Sequence, residues 1–182
     1  MNTTVFNERQ NLQEAFSKIA KSDKKDYICE IAELIAENNL NKKTIQDILT
    51  KFSIGKVKDI KNELLDILID YTYFLLEDNA LTDTEKRNFD FLKLYFEIKE
   101  GDFYTYKLPE IKLILDKQLD ELYSDNLVTR EERIHKVDLQ DLFDLSYDQL
   151  DEIKEGIVKK TIARGGNFID LDTANTKFWT KK

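Results

Sequence analysis

Residues that interrupt regular structure are scarce in this chain. It has five glycines and one proline among 182 residues. Sheets and long loops need these residues in their turns, whereas helical bundles need few of them. The scarcity therefore favours an all-α fold over one built on sheets.

Cysteine and histidine are each present once, as Cys29 and His135. A single cysteine forms no internal disulfide, so a reducing compartment is the expected setting. With no second cysteine or histidine beside it, Cys29 is expected to be a small, partly buried side chain rather than a nucleophile or ligand. His135 completes no Ser/His/Asp or Cys/His arrangement, and Gly165-Gly166 lacks the Lys-Ser/Thr of a phosphate-binding loop. We therefore predict that the protein is not an enzyme and has no catalytic residues.

The chain also lacks a long apolar run. Its longest apolar stretch, residues 64–76, is interrupted by Asp66 and Asp70. A helix that crosses a bilayer needs roughly 20 apolar residues. The N-terminus, MNTTVFNERQ, has no charged and then apolar signal-peptide pattern. We expect no membrane association and a cytoplasmic location.

Charge is unevenly distributed along the chain. Residues 63–156 carry 25 Asp and Glu against 11 Lys and Arg, a net charge of −14, although the whole chain has a net charge of −8. Such an acidic region repels phosphate, which argues against nucleic-acid binding by the central region. The aromatic residues recur at helical spacing beside aliphatic ones, which indicates core packing rather than base stacking.

Hydrophobic residues recur at helical spacing in eight stretches. The predicted helices cover residues 8–20, 24–38, 42–52, 57–77, 82–96, 108–123, 129–143 and 147–163. The fourth is apolar on nearly every side and is predicted to be the central helix, and Pro109 is placed in the first turn of the sixth. We predict a single compact bundle of about eight helices over residues 1–163, followed by a non-helical tail over residues 164–182.

The helix starts and ends suggest an internal repeat. Two capping-box patterns, Thr82-x-x-Glu85 and Thr129-x-x-Glu132, lie 47 residues apart. A Phe-x-aliphatic triplet follows each at the same shift, at 96–98 and 143–145, and a third is present at 52–54. These matches predict a two-fold helix-pair repeat with units of about 62–103 and 109–150.

These motifs resemble those of the tellurite-resistance TerB-like superfamily. The resemblance is carried by Asp78-Asn-Ala-Leu-Thr82-x-x-Glu85 after an apolar helix, then by Phe96-x-Ile98 and Gly101-Asp102-Phe103, and it covers residues 24–163. It implies a compact bundle of about seven helices with internal symmetry. It also implies a link to bacterial stress-response or phage-defence modules, and metal binding through acidic clusters in some members.

Two acidic loops are candidate metal sites. Calcium and magnesium require several oxygen ligands that converge on one point. The candidate ligands are Asp78, Asp83 and Glu85 in one loop and Asp125, Glu131 and Glu132 in the other. Neither loop has the spacing or the central glycine of an EF-hand, and helix capping alone explains much of the pattern.

The tail is rich in large apolar residues. It contains Phe168, Ile169, Leu171, Phe178 and Trp179 and shows no helical periodicity. Terminal segments of this composition usually dock on a surface. Two interpretations remain open: the tail lies across its own bundle, or it binds a partner or a second copy with Trp179 as its anchor.

Together these observations favour a non-catalytic protein-interaction module, whose partner is another protein or a second copy. The resemblance adds an accessory role in a bacterial stress-response or phage-defence system. Two alternatives remain: a divalent-cation sensor that uses the acidic loops, and an acidic inhibitor that occupies the basic site of a nucleic-acid-binding protein.

Overall fold

The computed structural model describes residues 4–77, 81–122 and 137–163. Within these ranges the chain forms α-helices and one short 3-10 helix, with no strand, which confirms the predicted all-α fold. The helices are α1 (Thr4–Ile19), α2 (Asp26–Ala36), α3 (Lys42–Lys51), α4 (Lys61–Leu75), α5 (Asp83–Tyr95), α6 (Asp102–Leu122), α7 (described over 137–142) and α8 (Tyr147–Ala163).

The chain divides into two units, Met1–Leu108 and Pro109–Lys182. The first unit contains α1 to α5 and the beginning of α6. The second contains the rest of α6, with α7 and α8.

More than half of the residues of α4 are buried in the first unit, as its apolar composition predicts. Helix α1 packs against α2, α4 and α5, and α2 packs against α3. Eight residues of α4 are buried: Leu64, Leu65, Ile67, Leu68, Ile69, Tyr71, Thr72 and Leu75. Thr72 is a buried polar residue of this helix. Its Oγ1 donates a hydrogen bond to the Leu68 carbonyl at 2.9 Å, which offsets the cost of burying the hydroxyl.

A column of four buried aromatic rings connects the helices of this unit. Phe16 of α1 contacts Tyr71 of α4, with ring centroids 5.1 Å apart. Tyr71 contacts Phe89 of α5 at 6.2 Å, and Phe89 contacts Phe103 of α6 at 5.9 Å. These separations are typical of favourable aromatic pairs, so the column binds four helices through one continuous contact.

Three predicted helix starts require correction. Helix α1 begins at Thr4, four residues before its predicted start. The predicted helix over 57–77 is a 3-10 turn at Val57–Ile60 followed by α4. Helix α6 begins at Asp102, six residues before the predicted start. Asp102 explains the earlier start, because its carboxylate accepts from the Lys99 backbone N–H at 2.7 Å and from Lys61 Nζ at 2.6 Å.

A kink divides α6 into two helical segments, and the second segment begins at about residue 108, where the sequence predicts the start of the sixth helix. Lys107 has non-helical backbone angles, φ −131° and ψ 22°. Proline has no N–H to donate to the Thr105 carbonyl, so a helical hydrogen bond is missing at this turn. The predicted sixth helix therefore corresponds to the part of α6 after the kink, and the helical residues 102–106 before the kink were not predicted.

Four helices end in the same way, on a residue with positive φ that is not glycine. In each, the next residue donates its N–H to the carbonyl five positions earlier, the hydrogen bond of a Schellman motif. The positive-φ residues are Asn38, Ser53, Glu97 and Asp144, and the donors that follow are Asn39, Ile54, Ile98 and Leu145, at 2.7–3.0 Å. Three of the four are the Phe-x-aliphatic triplets, so this local helix ending accounts for the triplets. The internal repeat itself stays a prediction.

Replacing Ser53 with glycine is expected to raise the free energy of unfolding by about 0.5–1 kcal/mol. A residue with a Cβ pays a conformational cost at φ 56°, and glycine does not. Urea denaturation of the wild type and the variant measures the change. Asn38→Gly is the matched control, since asparagine already tolerates this conformation, and its gain should be smaller. A lower stability for Ser53→Gly would contradict the prediction.

The second unit has its own buried residues. They include Ile111, Ile114 and Leu115 of α6, Leu139 and Leu142 of α7, and Leu150 and Ile153 of α8. Helix α8 matches its predicted range of 147–163. Ser146 explains its start, because Ser146 N–H donates to Gln149 Oε1 at 2.9 Å and Gln149 N–H donates to Ser146 Oγ at 3.2 Å, forming a reciprocal cap.

Candidate interaction surface

The first acidic loop is organised by helix capping. Glu85 is buried, and its Oε2 accepts from Thr82 N–H at 2.9 Å and from Thr82 Oγ1 at 2.8 Å. Glu85 N–H donates in return to Thr82 Oγ1 at 3.2 Å. This confirms the predicted capping box at the start of α5 and commits one Glu85 oxygen to it.

The other predicted metal ligands are not brought together by the described residues. Asp83 is exposed and pairs with Lys86, with Nζ and Oδ1 3.1 Å apart. Asp78, Asp125, Glu131 and Glu132 lie outside the described residues. In the part of the chain that the structure describes, no group of three or more acidic, histidine or cysteine side chains could hold a metal ion. The calcium or magnesium site stays a prediction.

The predicted tail contacts also lie outside the described residues, since Phe168, Ile169, Leu171, Phe178 and Trp179 follow residue 163. His135 lies outside them as well. Cys29 is described: it is partly buried, as predicted, and its Sγ lies 3.6 Å from the Ser22 carbonyl oxygen and 3.7 Å from that of Lys24.

Several carboxylates of the acidic region are paired with lysines within the first unit. The pairs are Lys24–Asp70 at 2.7 Å, Lys25–Glu63 at 2.6 Å, Lys61–Asp102 at 2.6 Å, and Lys107–Asp66. Each pair connects segments that are distant in sequence. Part of the negative charge that the sequence assigns to this region is therefore used to hold the unit together.

The Lys25–Glu63 pair shows how these contacts affect ionisation. The hydrogen bond to Glu63 raises the pKa of Lys25, and the Tyr27 hydroxyl adds to the rise. Burial acts to raise the pKa of Glu63, but the hydrogen bonds from Lys25 and Tyr27 outweigh it, so this pKa lies below its usual value. A lowered carboxylate pKa stabilises the fold at neutral pH, and that stabilisation is lost on acidification.

Tyr71 is the buried titratable group of the aromatic column. Its Oη has no hydrogen-bond partner of normal geometry among the described residues. Burial raises the pKa of Tyr71, the Glu85 carboxylate adds to the rise, and the Asn88 side chain opposes it. The phenol therefore stays protonated in the folded protein at pH values where an exposed tyrosine ionises.

Tyr71→Phe is expected to leave stability at pH 7 within about 1 kcal/mol of the wild type, because among the described residues the lost hydroxyl forms no hydrogen bond of normal geometry. Above pH 10 the unfolded state releases the Tyr71 proton before the folded state does, so wild-type stability falls with rising pH. The variant lacks this contribution and should lose less stability between pH 9 and 11. Urea denaturation across this range, with Tyr73→Phe as the exposed control, measures the difference. Parallel losses in wild type and Tyr71→Phe would contradict the prediction.

Helix α5 presents large apolar side chains on its solvent side. Phe91 is 52% exposed and Leu94 is 74% exposed. The Tyr95 ring lies 4.6 Å from the Phe91 ring, centroid to centroid. We call Phe91, Leu94 and Tyr95 the α5 apolar face. Three and four residues separate neighbours on one side of a helix, so these side chains form a continuous patch.

The opposite side of α5 forms part of the core through Phe89, Leu92 and Phe96. The stretch FDFLKLYF (89–96) supplies both the buried and the exposed side of α5, and Leu94 and Tyr95 lie between the core residues Leu92 and Phe96 in sequence. The helical spacing of the aromatic residues predicts core packing, and for Phe91, which is 52% exposed, this prediction is wrong. Since Phe89, Leu92 and Phe96 fill the stripe that faces α1 and α4, Leu94 is directed to the other side. The signal in the sequence that indicates the exposed side of α5 is the helical spacing of Phe89, Leu92 and Phe96, which marks the opposite, buried side.

Other exposed apolar residues are more scattered. They are Tyr73, Tyr106, Leu113, Val137 and Tyr147. Single exposed apolar side chains are normal on soluble domains, whereas contiguous ones often mark binding sites. Among the side chains whose exposure the structure describes, Phe91 and Leu94 of α5 are the two large apolar ones that are exposed within one helical turn. Helix α5 is therefore the best candidate for an interaction surface.

Within residues 4–77, 81–122 and 137–163, none of the helices combines the length and the apolar character that a bilayer span requires.

Comparisons with protein-family models, with curated proteins and with solved structures find no match to this chain. The resemblance to the TerB-like superfamily therefore stays a prediction from its motifs.

Proposed function

We propose that this protein is a non-catalytic protein-interaction module and that the α5 apolar face is its contact surface. The observation that carries the proposal is the exposure of Leu94 beside the Phe91–Tyr95 ring pair. Complete burial of one large aliphatic or aromatic side chain is favourable by about 1.5–3 kcal/mol. Because Phe91 and Leu94 are largely exposed, a partner that covers them would gain much of this free energy. Aromatic residues surrounded by polar ones are typical of the anchors in protein interfaces.

The support beneath the face favours the same conclusion. Phe89 and Leu92, on the buried side of the same turns, are fixed in the core, and Phe89 stacks in the aromatic column. The capping box fixes the start of the helix. A surface held in place in this way loses little conformational entropy when a partner binds.

The resemblance extends this proposal to an accessory role in a bacterial stress-response or phage-defence system. The single cysteine suits work in the reducing cytoplasm. The proposed contact surface depends on α5 alone and requires neither the accessory role nor the cytoplasmic location.

Affinity capture from the native cell tests the proposal. Wild-type protein, Leu94→Lys and Leu113→Lys would be tagged and their co-purifying proteins measured by quantitative mass spectrometry. Leu113 is a matched control, since it is 64% exposed on a helix of the other unit. We expect at least one protein, which includes untagged copies of this chain, to be captured by wild type and Leu113→Lys and to be depleted at least tenfold with Leu94→Lys. Equal capture by all three would contradict the proposal.

A further inference from the structure

Opposite charges flank the α5 apolar face. Arg87 lies one turn before Phe91, and Glu97 lies just beyond the end of the helix. Both are exposed. Within the described residues neither forms a salt bridge; the recorded side-chain contact of Arg87 is a hydrogen bond from Nη2 to Thr84 Oγ1 at 3.0 Å. Among the described residues these two exposed side chains thus carry opposite charges at the two ends of the apolar face and take part in no salt bridge.

This arrangement is complementary to itself. Arg87 lies in the second turn of α5 and Glu97 lies two residues beyond its last residue, Tyr95, so the apolar face lies between the two charges along the chain. If two copies of α5 are placed antiparallel about a two-fold axis near residue 92, Arg87 of each copy lies opposite Glu97 of the other. Phe91 of each copy then lies close to Leu94 of the other. A two-fold interface uses the same surface on both chains, as this pattern requires.

We propose that a second copy of this chain occupies the α5 apolar face, with the two α5 helices antiparallel. This inference rests on the proposed function and names its partner. A parallel arrangement would place like charges together, and a partner of uniform charge would leave one end of the face opposed by a like charge. The antiparallel pair places opposite charges together at both ends of the interface and covers the apolar faces of both copies.

The interface is small, so the dimer is weak. One helix face contributes two strongly exposed apolar residues and one charge at each end. Stable interfaces usually bury roughly 800 Å² per partner, contributed by about 20–30 residues on each side. Self-association is therefore expected at concentrations of tens to hundreds of micromolar, roughly, and not at nanomolar concentrations.

Analytical ultracentrifugation of the full chain tests the proposal, with loading concentrations from about 10 µM to 1 mM. The wild type should show a reversible monomer–dimer equilibrium. Leu94→Lys should weaken it at least tenfold, because the lysines of both copies enter the contact, and Leu113→Lys should leave it unchanged. Circular dichroism melts establish that each variant is folded.

A charge exchange tests the antiparallel geometry. Arg87→Glu alone should weaken dimerisation by roughly threefold to tenfold, because it places two like-charged pairs in the interface. Combining it with Glu97→Arg recreates both pairs with their signs reversed and should restore the wild-type constant to within about twofold. A dimer that formed through a different surface would not regain its affinity in the charge-exchanged protein.

Three results would overturn the inference: a monomeric wild type at 1 mM, dimerisation insensitive to Leu94→Lys, or no recovery in the charge-exchanged protein. Trp179→Ser in the full chain serves as a further arm, and loss of the dimer with this variant alone would assign the contact to the tail. A monomeric wild type whose captured proteins still depend on Leu94 would overturn the second copy while supporting the proposed function. Capture independent of Leu94 would contradict the proposed function itself.

Discussion

Phe89→Ala is expected to lower the free energy of unfolding by about 3–5 kcal/mol, the range for removing a buried aromatic ring. Phe89 is fully buried, and its ring contacts those of Tyr71 and Phe103. Lys93 Nζ also lies 5.8 Å from the ring centroid. The substitution interrupts the aromatic column in its middle and leaves a cavity between α4, α5 and α6. A domain of ordinary stability, about 5–15 kcal/mol, would lose a large part of it.

Urea denaturation followed by circular dichroism measures this loss. Phe91→Ala is the matched control, because it removes the same ring two residues away on the exposed side of α5. Its cost should stay below about 1 kcal/mol, as for other substitutions on an exposed surface. Comparable losses in the two variants would contradict the assignment of the buried and exposed sides of α5.

Asp66→Ala is expected to destabilise the protein by about 2–3 kcal/mol. The Lys107 side chain is 5% exposed and pairs with Asp66, which is 41% exposed. Removing one partner of a buried pair leaves an uncompensated charge, which typically costs 3–5 kcal/mol. Because water reaches Asp66, the lower value applies here. Lys107→Met removes the buried charge and keeps much of the side-chain volume, so it should cost less than Asp66→Ala.

A double-mutant cycle separates these effects. In a Lys107→Met background the pair no longer exists, so Asp66→Ala should change the free energy of unfolding by less than about 0.5 kcal/mol. The unfolding free energies of all four proteins come from the same urea titration. A full Asp66→Ala loss in that background would show that Asp66 acts through some other contact.

The sequence predicted most of the fold because most of its signals are local. Periodic apolar residues located the helices, and the Thr82–Glu85 pattern located the start of α5. The apolar character of residues 64–76 predicted the extensive burial of α4. Each of these depends on residues within one or two turns of one another, where helix geometry alone fixes which side chains meet.

The candidate surface could not be predicted in the same way. Leu94 has the composition of a core residue, and its exposure depends on which side of α5 faces α1 and α4. The start of α6 depends on Lys61, which is distant in sequence and donates to Asp102. The exposure of Leu94 and the start of α6 both depend on packing between distant segments, which the hydrophobic periodicity of one helix does not predict.

The helix endings at Asn38, Ser53, Glu97 and Asp144 have a consequence for amide hydrogen exchange. The N–H groups of Asn39, Ile54, Ile98 and Leu145 lie outside their helices, yet each donates to a carbonyl in the last turns of the preceding helix. Such an N–H exchanges with solvent only when that hydrogen bond opens. These four amides should therefore exchange more slowly than neighbouring amides in the loops, and each exchange rate reports how often the end of its own helix opens.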